Sequence, residues 1–426
     1  LSIGKFEGVE EPLARIAGNA YTLEALRKYV LSALDQGISP PVCTAIAKYN
    51  STEIGRDSIK DGMDVMGGAG ISMGPRNILA TTWIGIPISI TVEGANILTR
   101  TLMIFGQGAL RCHPYAFKEV DAIEQNNLKE FDRAFWGHIG HIVRNTFRSK
   151  LLSFTRGYIT AWGTPALTRR YFQKLAWASA SFAILADMAM GLLGGQLKVK
   201  EKLTGRFADI FSWMFMAAAV LRRYEAEGRP KEDLPIVQFS LQTAFFNIQK
   251  AFDGIYANMD IPFLGWIFKG PVRWWSRLNL MCEMPSDRLG NKVATLMLYN
   301  TQVRERLTAG VYMSHGENEA LSILEKAYAA IRNAEVVESK IKKAIKAKSL
   351  PKKKVSKLID LALEKSVITT DEHKLIKEAE ALRYDAIQVD EFTEEQYSPG
   401  YVPSGEIVRK TPLATEMPGP ALAKKE

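Results

Sequence analysis

Glu93 is the one acid in the apolar run IGIPISITVEGANILTR, residues 84–100. Burial among Ile86, Ile88, Ile90 and Val92 would disfavour its charged form and raise its pKa toward working pH, as a general base requires. Upstream, the turn GGAG supplies Gly67, Gly68 and Gly70, a loop whose backbone can approach a ligand closely. Both signals also have plainer readings. GGxG occurs in many ordinary turns, and a glutamate beside a glycine at a helix start commonly complements the helix dipole.

The elements that must position these residues read as helices, and the predicted class is all-α. Leu13, Ile16, Ala17, Ala20, Leu23, Leu26, Val30 and Leu34 recur at helical spacing, predicting a helix over about Pro12 to Leu34 that stops at Gly37. A second helix is expected from about Val42 to Met66, with Ile46, Tyr49, Ile54, Ile59 and Met63 inward, antiparallel to the first across a short connection. A shorter helix is expected over Arg76 to Thr82. The run Thr81 to Val92 would be a strand by propensity, against which Pro87 argues. Gly106, Gly108 and Pro114 mark a junction.

Beyond Asn126 the helical periodicity becomes aromatic, through Phe131, Phe135, Trp136, Phe147, Phe154, Trp162, Tyr171, Phe172 and Trp177. Leu175 to Leu193 comes nearest to a membrane span, but Asp187 interrupts it and a buried helix is the favoured reading. Ile210 to Gly228 has the same character. Pro262 to Asn279 mixes tryptophan with Arg and Lys, as an interfacial patch does; a loop packed on the core by its aromatics is favoured. Thr370 to Ala386 is amphipathic, and beyond about Phe392 the chain reads as a loosely held tail.

Composition bounds the function. The 426 residues are 47% hydrophobic and 24% charged, a globular composition with room for two or three domains. Cys43, Cys112 and Cys282 are too few and too scattered for a disulfide framework or thiolate metal site. His138 and His141 share a helix face without a clustered carboxylate, so a plain helix surface and no metal are expected. The net charge of +9 gathers partly in the lysine-rich segment Lys340 to Lys357. No aromatic residues interleave there, which argues against nucleic acid and for a solvated helical face.

Three ordered blocks carry a resemblance: GKFEGVEEPLARIAG (Gly4 to Gly18), AIAKYNSTEIGRDSIKDGMDVMGGAGI (Ala45 to Ile71) and VEGANILTR (Val92 to Arg100). From Leu1 to about Arg111 the chain resembles the C-terminal helical domain of the acyl-CoA dehydrogenases. The remainder is similar to the long extension of the large bacterial enzymes of fatty-acid β-oxidation. The resemblance implies residues 1–115 as the domain carrying the catalytic glutamate, 116–395 as the helical extension and 396–426 as the tail. It also implies that the chain is the C-terminal part of a longer polypeptide.

In such an enzyme Glu93 would take the α-proton of an acyl-CoA, medium or long in chain, while FAD accepts the hydride. Residues 81–92 would be an extended connection delivering Glu93 to the next helix, which runs through Ile97, Leu98, Leu102 and Phe105. Gly67, Gly68 and Gly70 would meet the flavin nucleotide of a neighbouring subunit, and Gly94 and Arg100 the substrate. The resemblance further implies an electron-transfer flavoprotein or equivalent acceptor, a homo-oligomer, and a cytoplasmic location with a peripheral hold on the inner membrane as an open variant. The basic segment would then steer polyanionic coenzyme A or anionic lipid. Departures fall at Asp64 and Glu7, where the family has glutamine, and at Ala95, where it has a threonine touching flavin. The competing classes are a catalytically silent helical interaction module and a membrane-surface or CoA-binding anchor.

Overall fold

The structure, a computed structural model, describes residues 3–38, 41–261, 264–313, 316 and 318–394; the stretch read as a tail lies outside them. Among the described residues every regular element is a helix. Two compact units form, one of Leu1–Gly62 with Gly85–Ala309, the other of Met63–Ile84 with Gly310–Glu426.

The first unit begins with α1 (Glu7–Asp35) and α2 (Pro41–Met66), close to the spans the periodicity predicts. Arg15 pairs with Asp61 at 2.8 Å and Asn19 with Ser58 at 3.0 Å, so the two helices run antiparallel as expected. The buried row of α1 is mostly small: Ala14, Ala17, Gly18, Tyr21 and Ala25. Gly18 is required there, because a Cβ would lie 2.6 Å from the Phe239 ring. Leu34, expected inside, is exposed.

Residues 80–91 depart from expectation. They form a helix, α3 (Ala80–Thr91), with Pro87 inside it, in place of an Arg76–Thr82 helix and an extended connection. β-Branched residues cost a helix only about 0.7 kcal/mol each at most. The Asn77 side-chain oxygen accepts from the Leu79 and Ala80 N–H groups, which starts the helix at Ala80.

After a π-helix, Thr99–Gln107, the chain stays helical over Gly108–Cys112, so the expected junction at Gly106 and Gly108 moves to His113 and Pro114. Then come α4 (Ala116–Glu124), α5 (Leu128–Phe154), α6 (Ala166–Leu193), α7 (Glu201–Ala226), α8 (Leu234–Asn258) and α9 (Asp287–Tyr299). Helix α7 is central, packing against α1, α6, α8 and the π-helix. Its Phe207, Ile210 and Leu221, with Phe245, Ile248 and Ile255 of α8, are fully buried.

By length and composition Ala166–Lys198 could cross a membrane. In the folded chain every residue from Tyr171 to Met190 except Ser179 is buried or half-buried, in line with the buried-helix reading. Other sequence readings are corrected. Trp136, Phe147, Phe154 and Trp162 are exposed, as are Trp266 and Trp274, so the Pro262–Asn279 segment is not a loop packed inward by all its aromatics. Among the described residues of that segment Phe268 is the one buried aromatic, stacked on Tyr256. His138 and His141 do share a face of α5, but their side chains are only 19% and 13% exposed and turn toward Asp187. The sequence could not show this, because Asp187 lies far along the chain on another helix.

The second unit has its own core. Ala334, Val337 and Ile341 of α10 (Ala320–Lys346) pack with Ile376 and Ala379 of α11 (Thr370–Ala386). A reciprocal cap between Thr369 and Glu372 fixes the start of α11 where the amphipathic pattern places it. The lysine-rich face is partly neutralised by Lys340–Glu372 and Lys342–Glu338 ion pairs.

Candidate active site

Glu93 occupies the turn that ends α3. Its φ of 56° is left-handed, and Gly94 follows at 92°. A left-handed residue after a helix is usually glycine, and a side chain there costs roughly 1–2 kcal/mol. Glu93 is exposed, as are Ile88 and Val92, with Ile86 and Ile90 half-buried. The apolar enclosure expected around the carboxyl is therefore not formed by its own run. Once residues 80–91 are helical, their apolar side chains spread around a cylinder and no longer line one path to Glu93.

A cation holds the turn. The half-buried Lys48 ammonium donates to the Gly94 carbonyl at 2.7 Å, to Asn96 Oδ1 at 2.7 Å and to the Ile90 carbonyl at 3.2 Å. The buried Asn96 amide donates onward to Thr52 at 2.9 Å and Glu53 at 2.8 Å, and Thr99 Oγ1 donates to the Gly94 carbonyl at 3.2 Å. Lys48 thus ties α2 to both sides of Glu93 and satisfies carbonyls left over at the end of α3. Lys48→Met keeps the aliphatic stem but removes a donor from three acceptors, of which the Gly94 carbonyl keeps Thr99, and should cost about 1–3 kcal/mol. Urea unfolding of the chain would read this; an unchanged midpoint would mean the turn is held otherwise.

Arg100 is engaged by the extension. Its guanidinium grips Asp209 of α7 through Nε at 2.7 Å and Nη2 at 2.5 Å, and lies against Gly205, where a Cβ would meet it at 2.6 Å. The Asp209 hydrogen bonds raise the Arg100 pKa. Nearby, burial pushes Tyr49 up to about 12 and raises Asp57. Glu53 is salt-bridged to Arg56 at 2.5 Å, as its helical position suggests. Ala95 is exposed and precedes the one-turn helix Asn96–Leu98.

The glycine loop belongs to the second unit. It is a 3₁₀ turn, Gly67–Ile71, in which Gly67 has a φ of 62°. Gly70 is buried, and a Cβ on it would meet the Met63 carbonyl at 2.5 Å. Gly67 and Gly68 are exposed, with open space where their side chains would be. Asn77 fixes the loop from behind, its Nδ2 donating to the carbonyls of Ala69 at 3.0 Å, Gly70 at 2.7 Å and Ser72 at 2.8 Å. Backbone is thus presented outward for close approach, as a nucleotide would need. Asp64 is also exposed, and Glu7 opens the first turn of α1, where its charge complements the dipole.

Sequence reasoning missed Lys48, Asn96, Asn77 and Asp209. Only Asn77 had a readable signal, an asparagine in the loop between the glycines and a helix. The other three act across long sequence separations.

Among the described residues the fold is all-helical, with Glu93 on a clamped turn and, separately, a scaffolded glycine loop. Residues 110–392 match the family described as acyl-CoA dehydrogenase, C-terminal, bacterial type, and residues 2–104 match the acyl-CoA dehydrogenase C-terminal domain. The chain belongs to the bacterial-type acyl-CoA dehydrogenase C-terminal family. Among solved structures it is similar to the crystal structure of an acyl-CoA dehydrogenase complexed with FAD from Bacillus anthracis, with TM-score 0.51 and 15% identity. The match covers 69% of this chain and 49% of that one, so the chain spans about half the relative's length. At that identity the likeness is one of fold.

Proposed function

We propose that this chain is the base-bearing part of an FAD-dependent acyl-CoA dehydrogenase that introduces the α,β double bond into medium- or long-chain acyl-CoA during fatty-acid β-oxidation. The observation that carries the reading is Glu93 itself, a side chain kept in a left-handed turn where glycine would be easier, and clamped on both flanks by Lys48. Other non-glycine residues, Ala161 and Lys348 among them, share that backbone region, so what sets this turn apart is the clamp on both flanks.

In this reading residues 1–115 hold the catalytic segment and 116–395 the extension. The Glu93 carboxylate takes the α-proton of the bound thioester, and its exposure on this chain leaves it open to substrate. Gly94 would lie toward the substrate, and Arg100, with Nε and Nη2 on Asp209 and Nη1 against Gly205, would act there as a nearby fixed positive charge. FAD, when bound, supplies the hydride acceptor. The exposed backbone at Gly67 and Gly68, backed by Gly70 and flanked by Asp64, would hold its nucleotide, while Ala95 leaves out a hydroxyl contact. An electron-transfer flavoprotein or equivalent would reoxidise the cofactor in the cytoplasm. The test is oxidation of a saturated acyl-CoA by the flavin-loaded enzyme and its loss in Glu93→Gln.

A second feature favours peripheral membrane contact. Trp266 and Trp274 are exposed in a segment whose cations Lys269, Arg273 and Arg277 outnumber the acids that pair with them, Asp260 and Asp253, a composition suited to an anionic interface. The chain is expected to co-sediment with anionic phospholipid vesicles, and a Trp266→Ala/Trp274→Ala variant to lose most of that binding. Equal sedimentation of the two proteins would remove this surface from consideration.

A further inference from the structure

Five polar side chains outside the Glu93 turn converge where α4, α5 and α6 pack. Asp187, which breaks the apolar run of α6, is 7% exposed. Its Oδ1 accepts from His113 Nε2 at 2.9 Å. The direction of that bond follows from the other side of the ring. His113 Nδ1 accepts the backbone N–H groups of Tyr115 at 3.2 Å and Ala116 at 2.9 Å, so the ring proton sits on Nε2. His113 therefore orients Asp187 and has no lone pair left to offer.

His138 is set the opposite way. Its Nδ1 lies 2.9 Å from Glu119 Oε1, and a carboxylate only accepts, so the proton is on Nδ1 and Nε2 presents a lone pair. That Nε2 is buried without a hydrogen-bond partner, and so is Asp187 Oδ2. Each of these unpartnered atoms faces an electron-rich atom that is already engaged elsewhere: His138 Nε2 is 3.7 Å from Asp187 Oδ1, and Asp187 Oδ2 is 4.0 Å from His141 Nε2. Asn145 Nδ2 donates to His141 Nε2 at 2.9 Å while Arg144 Nη2 stands off Nδ1 at 3.4 Å, and the shorter contact makes Nε2 the acceptor.

Electron-rich atoms at these separations are too far apart to hydrogen-bond and gain nothing from facing each other. A cation between them removes the conflict. Tetrahedral zinc with bonds of 2.0–2.1 Å sets its ligand atoms roughly 3.3 Å apart, so each imidazole nitrogen would move toward its nearer Asp187 oxygen by roughly half an ångström, and His141, outside the compact group of His113, His138 and Asp187, would also turn inward. The donor set, imidazole with carboxylate, suits a zinc-class ion better than calcium or magnesium. The Glu119–His138 pair has the form of a carboxylate that orients a metal-bound histidine.

We propose that His138, His141 and Asp187 bind one divalent transition-metal ion of the zinc class, with solvent as fourth ligand and with His113 and Glu119 orienting the ligands. His141 exchanges its Asn145 hydrogen bond for the metal. The ion joins α5 to α6, and through His113 reaches the residues that start α4, so it acts as a structural clamp on the extension.

The experiment uses the full chain, stripped with chelator and dialysed against zinc, with metal content read by mass spectrometry and stability by thermal unfolding. About one zinc per chain is expected, and at a hundredfold excess over Kd a midpoint raised by about 5 °C or more. Asp187→Asn and His138→Gln should lose the ion. Should those variants fold poorly, Glu119→Gln keeps the ligands and is expected to bind about 10–100-fold more weakly. Zinc uptake equal in the parent and Asp187→Asn would overturn the proposal. So would a midpoint that ignores zinc but rises as pH falls, since the pocket would then house an imidazolium between Glu119 and Asp187.

Discussion

In the flavin-loaded holoenzyme, Glu93→Gln is expected to lower kcat by about 10²–10⁴-fold, the usual contribution of a general base. Acyl-CoA affinity and flavin content should stay near the parent values, because glutamine keeps the size and most of the polarity of the side chain. The turn adds a second expectation that a purely structural role would not produce. Glu93 has a φ of 56°, so Glu93→Gly should relieve strain and stabilise the chain by about 1 kcal/mol while being equally inactive. Steady-state turnover and urea unfolding of the same two variants separate the outcomes. A Glu93→Gly protein that is less stable than the parent would show that the carboxylate holds the turn rather than serving chemistry.

Phe207→Ala should produce the largest loss of stability. Phe207 is fully buried on α7, stacked on Phe105 of the π-helix at 4.4 Å between ring centroids, with Phe182 of α6 edge-on at 6.1 Å. Removing it leaves a cavity among three elements that cannot easily close over it, and the expected cost is about 3–5 kcal/mol. Phe105 lies directly beyond the end of the residues matching the acyl-CoA dehydrogenase C-terminal domain, whereas Phe207 belongs to the bacterial-type match. A Phe105→Ala/Phe207→Ala double-mutant cycle therefore measures how firmly the extension is joined to the Glu93 segment. A coupling of about 0.5–3 kcal/mol is expected for contacting residues. Additive losses would mean the two parts are stabilised independently.

The helices at the front of the chain were legible because α1 and α2 repeat apolar residues over many turns and stop at strong signals such as Gly37. Helix α11 was legible to the residue, since its periodicity and its Thr369 cap agree. Residues 80–91 were misread because their isoleucines and threonines favour strands only weakly, while the deciding contact comes from Asn77, just before the run. Glu93 could be singled out from the sequence, but not its surroundings. Its clamp is Lys48, a lysine that looks like any other on a polar helix face. The histidine pair was misread for the same reason: Asp187 looked like an interruption of an apolar segment, and only folding brings it to His113, His138 and His141. Exposed aromatics such as Trp136 and Trp266 cannot be told from core residues by composition, because helical spacing alone does not say which of two apolar faces is covered.

The central claim, that Glu93 is the α-proton base, is tested most directly by anaerobic single-turnover mixing of flavin-loaded enzyme with a saturated acyl-CoA, following loss of the flavin absorbance. The account predicts rapid bleaching in the parent and in the Asp57→Asn control, and bleaching slowed by at least about 10²-fold in Glu93→Gln. Glu93→Gln bleaching at near the parent rate would contradict it.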